Sequence, residues 1–219
     1  MEKIGFLGGT GVEARGLALR FASAGTRVAL GSRSEQRAAE AAEVCNSVLG
    51  KATIRGLSNE QMLEASDLIF LTVPFDRAVD AITRYAGSLT VKHIVVDVTV
   101  PMAFGSGKAE YVDQDGTSNS EIIARRLPPG IPLVAAFKTL PAVLLAGLET
   151  GLNCDDFVCG DSEEAKQVVM ATAALIPTLR PLDAGPLRTA RTLERMAVMA
   201  AALNRRYRHR GARFRVEGI

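Results

Sequence analysis

The chain of 219 residues carries 26 basic and 24 acidic side chains, a formal charge of +2, and is 47% hydrophobic, which is the makeup of one medium globular domain or a larger one with a small appendage. A chain of this length buries about 70% of the surface that its unfolded form exposes, so neither disulfides nor a structural metal are needed to hold a core. Cys45, Cys154 and Cys159 lack zinc spacing, and His93 and His209 are the only histidines, which leaves almost nothing for a metal site or a Ser-His-Asp triad. No apolar run approaches the roughly 20 residues that span a bilayer, and the opening Met1-Glu-Lys-Ile-Gly-Phe-Leu-Gly-Gly reads as a strand entering a turn rather than a secretion signal. A soluble cytoplasmic protein with no metal and no membrane contact is expected.

Residues 3 to 7 are apolar and end in Gly8-Gly9-Thr10-Gly11; a helix is expected over Leu17 to Ala24, closed by Gly25. Arg27 to Leu30 predict a second strand ending at Gly31-Ser32-Arg33, followed by a long helix over Ser34 to Leu49 and a third strand near Thr53 to Arg55. Asp67 to Val73, His93 to Val100 and Leu133 to Phe137 are continuous apolar runs, the first two stopping at Pro74 and Pro101. Such runs alternating with helices predict a doubly wound, Rossmann-type parallel sheet covered on both faces. Ala103 to Asn119, with Gly105, Gly107 and Gly116, reads as a loop.

Past Pro141 the pattern becomes a strand at Phe157 to Gly160, a helix over Glu163 to Ile176, a strand at Leu179 to Leu182 and a last helix from about Pro186, with Leu193, Met196, Ala197, Ala200 and Leu203 on one apolar face. The division expected is a nucleotide domain over 1–145 and a small C-terminal α/β domain over 146–219 for substrate binding or dimerisation. From Arg188 onward nine arginines face only Glu194 and Glu217, so the C-terminus is the basic end.

Gly9-Thr10-Gly11-Val12-Glu13-Ala14 is G-x-G-x-x-A, between an apolar strand and a helix. The first glycine permits the tight turn, the second lets backbone approach a pyrophosphate, and the small third residue lets helix and strand pack closely. An enzyme selective for NAD places Asp or Glu at the end of the second strand, where this chain has Ser32 and Arg33 with Arg37 one turn on. Those side chains suit a 2′-phosphate, and therefore NADP. Thr72-Val73-Pro74-Phe75, Val100-Pro101-Met102 and Lys138-Thr139-Leu140-Pro141-Ala142 end the other apolar runs and predict an apolar ledge for the nicotinamide and a flat partner. Lys138 can steady an anionic substrate or give up a proton, since a desolvated lysine shifts its pKa as arginine cannot. No tyrosine is followed four residues on by lysine, so the Tyr-Lys pair of short-chain dehydrogenases is missing.

At these residues the chain resembles the coenzyme F420-dependent NADP oxidoreductases. The resemblance rests on Leu7-Gly-Gly-Thr-Gly11, Gly16-Leu-Ala-Leu-Arg20, Gly31-Ser-Arg33, Leu71-Thr-Val-Pro74, Val158-Cys-Gly-Asp161, Lys166 to Met170 and Arg180-Pro-Leu-Asp-Ala-Gly-Pro-Leu187, and fades beyond Asn204. It implies a homodimer exchanging hydride between C4 of the nicotinamide and C5 of the F420 deazaflavin, with the protein supplying orientation and no acid or base. It also implies nucleotide contacts at Thr10, Gly11, Val12, Glu13, Ser32, Arg33 and Arg37, extending to Phe75, Val79, Met102 and Ala142; the turn and the strand ends themselves add Gly9, Thr72 and Pro74 to the expected cofactor site and Lys138, Thr139 and Leu140 as expected substrate contacts. The family typically has His where Lys138 stands and Gly where Ala14 stands. Two other readings stay open: an NADPH-dependent imine or carbonyl reductase using Lys138, and a non-catalytic NADP-binding module. The arginine-rich stretch over 205–215 can draw in the phosphate and glutamate tail of F420, bind nucleic acid or simply solvate an edge; solvation is expected, and nucleic acid is not the expected partner.

Overall fold

The computed structural model describes residues 3–105 and 108–219. Gly107, part of the expected loop, and the first two residues of the expected opening strand lie outside that range.

β1 (Ile4–Leu7) runs into the glycine turn, and α1 (Val12–Ser23) starts directly from Gly11, five residues before the expected Leu17. β2 (Val28–Ser32) leads to α2 (Glu35–Leu49), capped by the Ser34 hydroxyl at one end and by Gly50 at φ 66° at the other. β3 (Ile54–Ser58) is followed by α3 (Asn59–Ala65), a helix not foreseen in sequence although Ser58 and Gln61 form a reciprocal capping box. β4 (Leu68–Leu71), α4 (Phe75–Tyr85) and β5 (Ile94–Asp97) follow.

The expected loop is partly ordered structure. β6 (Met102–Gly105) and β7 (Lys108–Tyr111) pair as an antiparallel hairpin, and a second capping box, Ser118 with Glu121, starts α5 (Asn119–Ala124). Glycines and short polar side chains masked these elements, because the hairpin packs against a distant helix rather than repeating a local apolar pattern.

β8 (Leu133–Ala135), α6 (Ala142–Leu145), β9 (Cys154–Gly160), α7 (Glu163–Ala173) and β10 (Leu179–Asp183) lead through a 3-10 turn to α8 (Ala190–Arg206). β9 begins three residues before the expected Phe157, through Asp155 and Asp156, two buried acids that hide it from a hydropathy reading.

The strands form one sheet in the order β3-β2-β1-β4-β5-β8-β9-β10. β3 through β8 are parallel, β9 runs antiparallel to β8, and β10 is parallel to β9. The two late strands thus extend the parallel sheet rather than forming a second one. β1 and β4 are buried throughout, because core packs on both faces. One layer gathers Phe6, Phe21, Phe70 and Phe137, with ring centroids 5.0 to 6.0 Å apart, and the other gathers Leu7, Ile69, Ile82 and Leu193. Burying each such phenylalanine contributes about 1.5–3 kcal/mol.

The crossing of α1 and α6 is set by two residues. A Cβ on Gly16 would come within 2.5 Å of the Leu145 Cβ, so only glycine lets the helices approach this closely. One turn on, buried Arg20 donates from Nε to the Leu145 carbonyl at 2.9 Å and from Nη2 to the carbonyls of Leu144, Gly147 and Thr150 at 2.6 to 2.9 Å. Its cation satisfies the open carbonyls at the end of α6, as a helix C-terminus favours. No helix among the described residues is long and apolar enough to cross a membrane.

Candidate functional site

The glycine turn has the stereochemistry its motif requires. Gly8 sits at φ 86° against Val73, and a Cβ on Gly9 would lie 2.9 Å from the Leu30 Cα, while the Gly9 N–H donates to the Gly31 carbonyl at 2.8 Å. Gly11 is different: the nearest atom to a Cβ there is the Gly8 carbonyl oxygen at 4.0 Å. It opens α1 without any side-chain cap, which leaves the first amides of the helix free to meet an anion.

The turn that leads into those amides, through Thr10 and Gly11, lines a cleft of about 740 Å³. Thr10, Gly11, Ser32, Arg33, Arg37, Thr72 and Pro74, expected as nucleotide contacts, all line it. So do Asn59, Arg77, Asp80, Arg84 and Tyr85, which sequence reasoning did not nominate. For Arg77, Asp80 and Arg84 the sign in sequence was the three-and-four spacing of polar residues on α4; Asn59 on α3 and Tyr85 gave none. Four arginines stand in the lining against one acid, Asp80, so the cleft is built for a multiply charged anion. A pyrophosphate at the α1 amides and a second phosphate beside Ser32 and Arg33 both fit this donor set.

The remaining expected contacts lie outside that lining. Gly9 is buried beneath the turn, and Val12 is exposed on the first turn of α1. Glu13 is half-buried. Burial pushes its carboxyl up to about 8; the Lys138 ammonium opposes that shift, and Asp97 adds to it. Phe75 and Val79 are half-buried on α4, with Val79 packed on the core. Met102 opens the hairpin and Ala142 opens α6, both half-buried.

Lys138, Thr139 and Leu140, expected as substrate contacts, are all buried. The Lys138 ammonium is turned inward: Nζ donates to Asp97 Oδ2 at 2.8 Å and to the Thr99 carbonyl, and lies 3.7 Å from Glu194 Oε1. The cluster is closed on every side. Asp97 also accepts from the Thr99 N–H and hydroxyl and from the Ser120 hydroxyl, at 2.6 to 2.9 Å. Glu194 accepts from the Asn119 and Ser120 amides and from the Tyr111 hydroxyl at 3.1 to 3.3 Å. Burial raises the Glu194 carboxyl, with Lys138 opposing, and burial together with the adjacent Glu194 pushes the Tyr111 phenol up to about 12.

Directly before Lys138, buried Phe137 adopts φ 58°, a left-handed backbone that a bulky residue rarely takes. Its N–H donates to Asp156 Oδ1 at 2.7 Å. The other oxygen, Oδ2, is buried without a hydrogen-bond partner among the described residues, and burial pushes the carboxyl up to about 7. The strained residue marks where β8 turns into the ligand-facing end of the sheet.

The arginine-rich stretch has its backbone on the sheet. The Asp155 N–H donates to the Phe214 carbonyl at 2.9 Å, the Val216 N–H donates to Asp155 Oδ2 at 2.6 Å, and Arg180 clamps both Asp155 and the Val216 carbonyl. The arginine side chains from Arg205 to Arg215 are exposed.

The family model for the coenzyme F420-dependent NADP oxidoreductases matches residues 3–101. The F420-dependent NADP reductase of Methanocaldococcus jannaschii is 32% identical over 223 residues, covering 99% of both chains. That of Methanothermobacter thermautotrophicus is 32% identical over 222 residues, covering 99% of this chain and 95% of the other. These alignments run through the basic tail, past the Asn204 limit expected in sequence. In fold, a proposed F420-dependent NADP-reductase from Arthrobacter sp. FB24 superposes over 100% of both chains with a TM-score of 0.82 at 21% identity. Full-length relatedness at this level, on a sheet with this glycine turn, leads to one conclusion: the chain belongs to the coenzyme F420-dependent NADP oxidoreductase family.

Proposed function

We propose that the protein transfers hydride between NADP(H) and the deazaflavin coenzyme F420. The single observation that carries the nucleotide half is the cleft in which the open Gly11 turn, Ser32, Arg33 and Arg37 converge with no acid at the tip of β2. Family membership supplies the deazaflavin half. Hydride leaves C4 of the reduced nicotinamide for C5 of the oxidised deazaflavin, and one proton enters from water to complete the reduced ring. The chain itself orients the partners and keeps water from them. Thr72 to Phe75 and Pro141 to Ala142 are the half-open strand ends on which the two rings meet in this reading.

Spectrophotometry tests it. Purified protein with NADPH and oxidised F420 should bleach the deazaflavin absorbance, and no bleaching at any pH removes the proposal. The reading in which Lys138 protonates an imine or carbonyl is disfavoured by its geometry, since all the space around the ammonium belongs to Asp97, Thr99 and Glu194.

The same reading includes a division of labour along the chain, with residues 1–145 holding NADP and 146–219 shaping the deazaflavin side and a homodimer contact. Exposed apolar side chains at Phe104, Met199, Leu203 and Tyr207 support the dimer, and sedimentation equilibrium tests it. Three cysteines, none paired, support a reducing cytoplasmic setting.

A further inference from the structure

One wall of the nucleotide cleft belongs to α4, which the phosphate-binding motif does not touch. Arg77, Asp80 and Arg84 line the cleft, and their spacing puts them on one helix face. Arg33 and Arg37 stand in the same lining from β2 and α2.

Arg84 is held in place. Its guanidinium carbon lies 5.7 Å from the centre of the Tyr85 ring, within cation–π range. That ring is itself buried, and Asn59, also buried, donates from Nδ2 to the Tyr85 hydroxyl at 2.8 Å. Among the described residues, the ion pairs that form leave out Arg33, Arg37 and Arg84, while Arg77 has only a loose, exposed contact with Asp76 at 3.7 Å.

Guanidinium groups gathered in one cleft repel one another, and a dianion between them relieves the repulsion. A pyrophosphate would not need all of them, because the uncapped amides of α1 are open to one at the glycine turn. The surplus charge calls for a second phosphate on the nucleoside side.

We propose that Arg84, with Arg77 beside it, is a specificity-determining residue for the 2′-phosphate of the nucleotide, acting from α4 together with Arg33 and Arg37. The inference rests on the NADP reading of the cleft and adds a second cationic wall to it.

Calorimetric titration with adenosine 2′,5′-bisphosphate and adenosine 5′-monophosphate isolates the 2′-phosphate, the only group by which the two ligands differ. Arg84→Ala should weaken the bisphosphate about tenfold or more and leave the monophosphate within about twofold, and Arg77→Ala should show the same selectivity at about threefold to tenfold. Arg84→Lys should fall between Arg84→Ala and wild type, because it keeps charge and loses the planar fork. The side chain is exposed, so unchanged melting temperatures are expected alongside. An Arg84→Ala protein that keeps wild-type affinity for the bisphosphate, or that loses both ligands equally, overturns the inference while the NADP reading survives. Wild-type protein that binds the bisphosphate no better than the monophosphate overturns both.

Discussion

Lys138 and Asp97 meet at 2.8 Å with both side chains shut off from solvent, and Glu194 approaches the same ammonium to 3.7 Å. Three elements far apart in sequence, the ends of β5 and β8 and the first turns of α8, are therefore tied at one point behind the strand tips. Lys138→Met leaves two carboxylates buried against a single missing cation, and urea unfolding should show a loss of about 3–5 kcal/mol. Turnover per folded molecule should fall far less, since the ammonium supplies position and no proton. A variant of wild-type stability with no turnover would contradict this.

Arg33→Ala should shift nucleotide preference rather than stability. With one charge-assisted contact to the 2′-phosphate worth about 1.5–3 kcal/mol, kcat/KM for NADPH should drop about tenfold to a hundredfold while that for NADH changes little. Equal losses with both would place Arg33 elsewhere in the site.

The residues that could be read from sequence were those whose role is local. Gly9, Gly11, Ser32 and Arg33 sit within a strand-turn-helix unit whose spacing carries its own geometry, so the turn and the residues that line the cleft beside it were legible together. Arg77, Arg84 and Tyr85 were not, because only the convergence of α3 and α4 reveals which face of α4 lines the cleft. Glu194 looked like one acid offsetting a basic helix. Its signal was position: it lies beside Leu193 and three residues before Ala197, on the buried stripe, where a carboxylate needs a partner. Asp97, closing the apolar run Ile94-Val-Val, carried the same sign. Neither could be joined to Lys138 without the sheet order.

Asp156 makes the fold sensitive to pH. Its carboxyl, ordinarily near 3.8, is raised by burial to about 7, so between those values the folded chain binds a proton that the unfolded chain has released. Stability is therefore full below the lower value and declines as pH climbs through the window. Asp156→Asn keeps an oxygen for the Phe137 N–H and has no charge to bury, so it should remove about 1–4 kcal/mol of the decline measured between about pH 4 and pH 8. Glu13 and Glu194, raised by the same cause, should leave a residual slope. Parallel profiles for variant and wild type would sink the assignment.

Gly16→Ala should separate α1 from α6. The new methyl would stand 2.5 Å from the Leu145 Cβ, and relief by backbone movement costs about 1–3 kcal/mol. The expected lower melting temperature should come with faster proteolysis near residues 141–150, which Arg20 otherwise holds. An undisturbed melting curve would mean that α6 moves freely.

Removing the residues after Asn204 should destabilise the protein. The deletion takes away the backbone partners of Asp155 and Arg180 and the Ala212 amide bonded to Asn204 Oδ1 at 2.9 Å. At about 0.5–1.5 kcal/mol for each of these four hydrogen bonds, the loss should be about 2–6 kcal/mol, seen in denaturant titration. If the tail served only to recruit a partner, unfolding would be unchanged.

The antiparallel turn of β9 against β8 also constrains how the chain can be made and cut. Six parallel strands are complete once β8 has formed, yet its outer rim stays an open row of amides and carbonyls until β9 arrives. A polypeptide stopped at residue 145 would own a full nucleotide-binding order and still present an adhesive border to its neighbours. On the ribosome, the interval between the emergence of β8 and that of β9 is when this protein is most prone to cling to a sibling chain, and slowing translation there should raise aggregation without altering the finished fold.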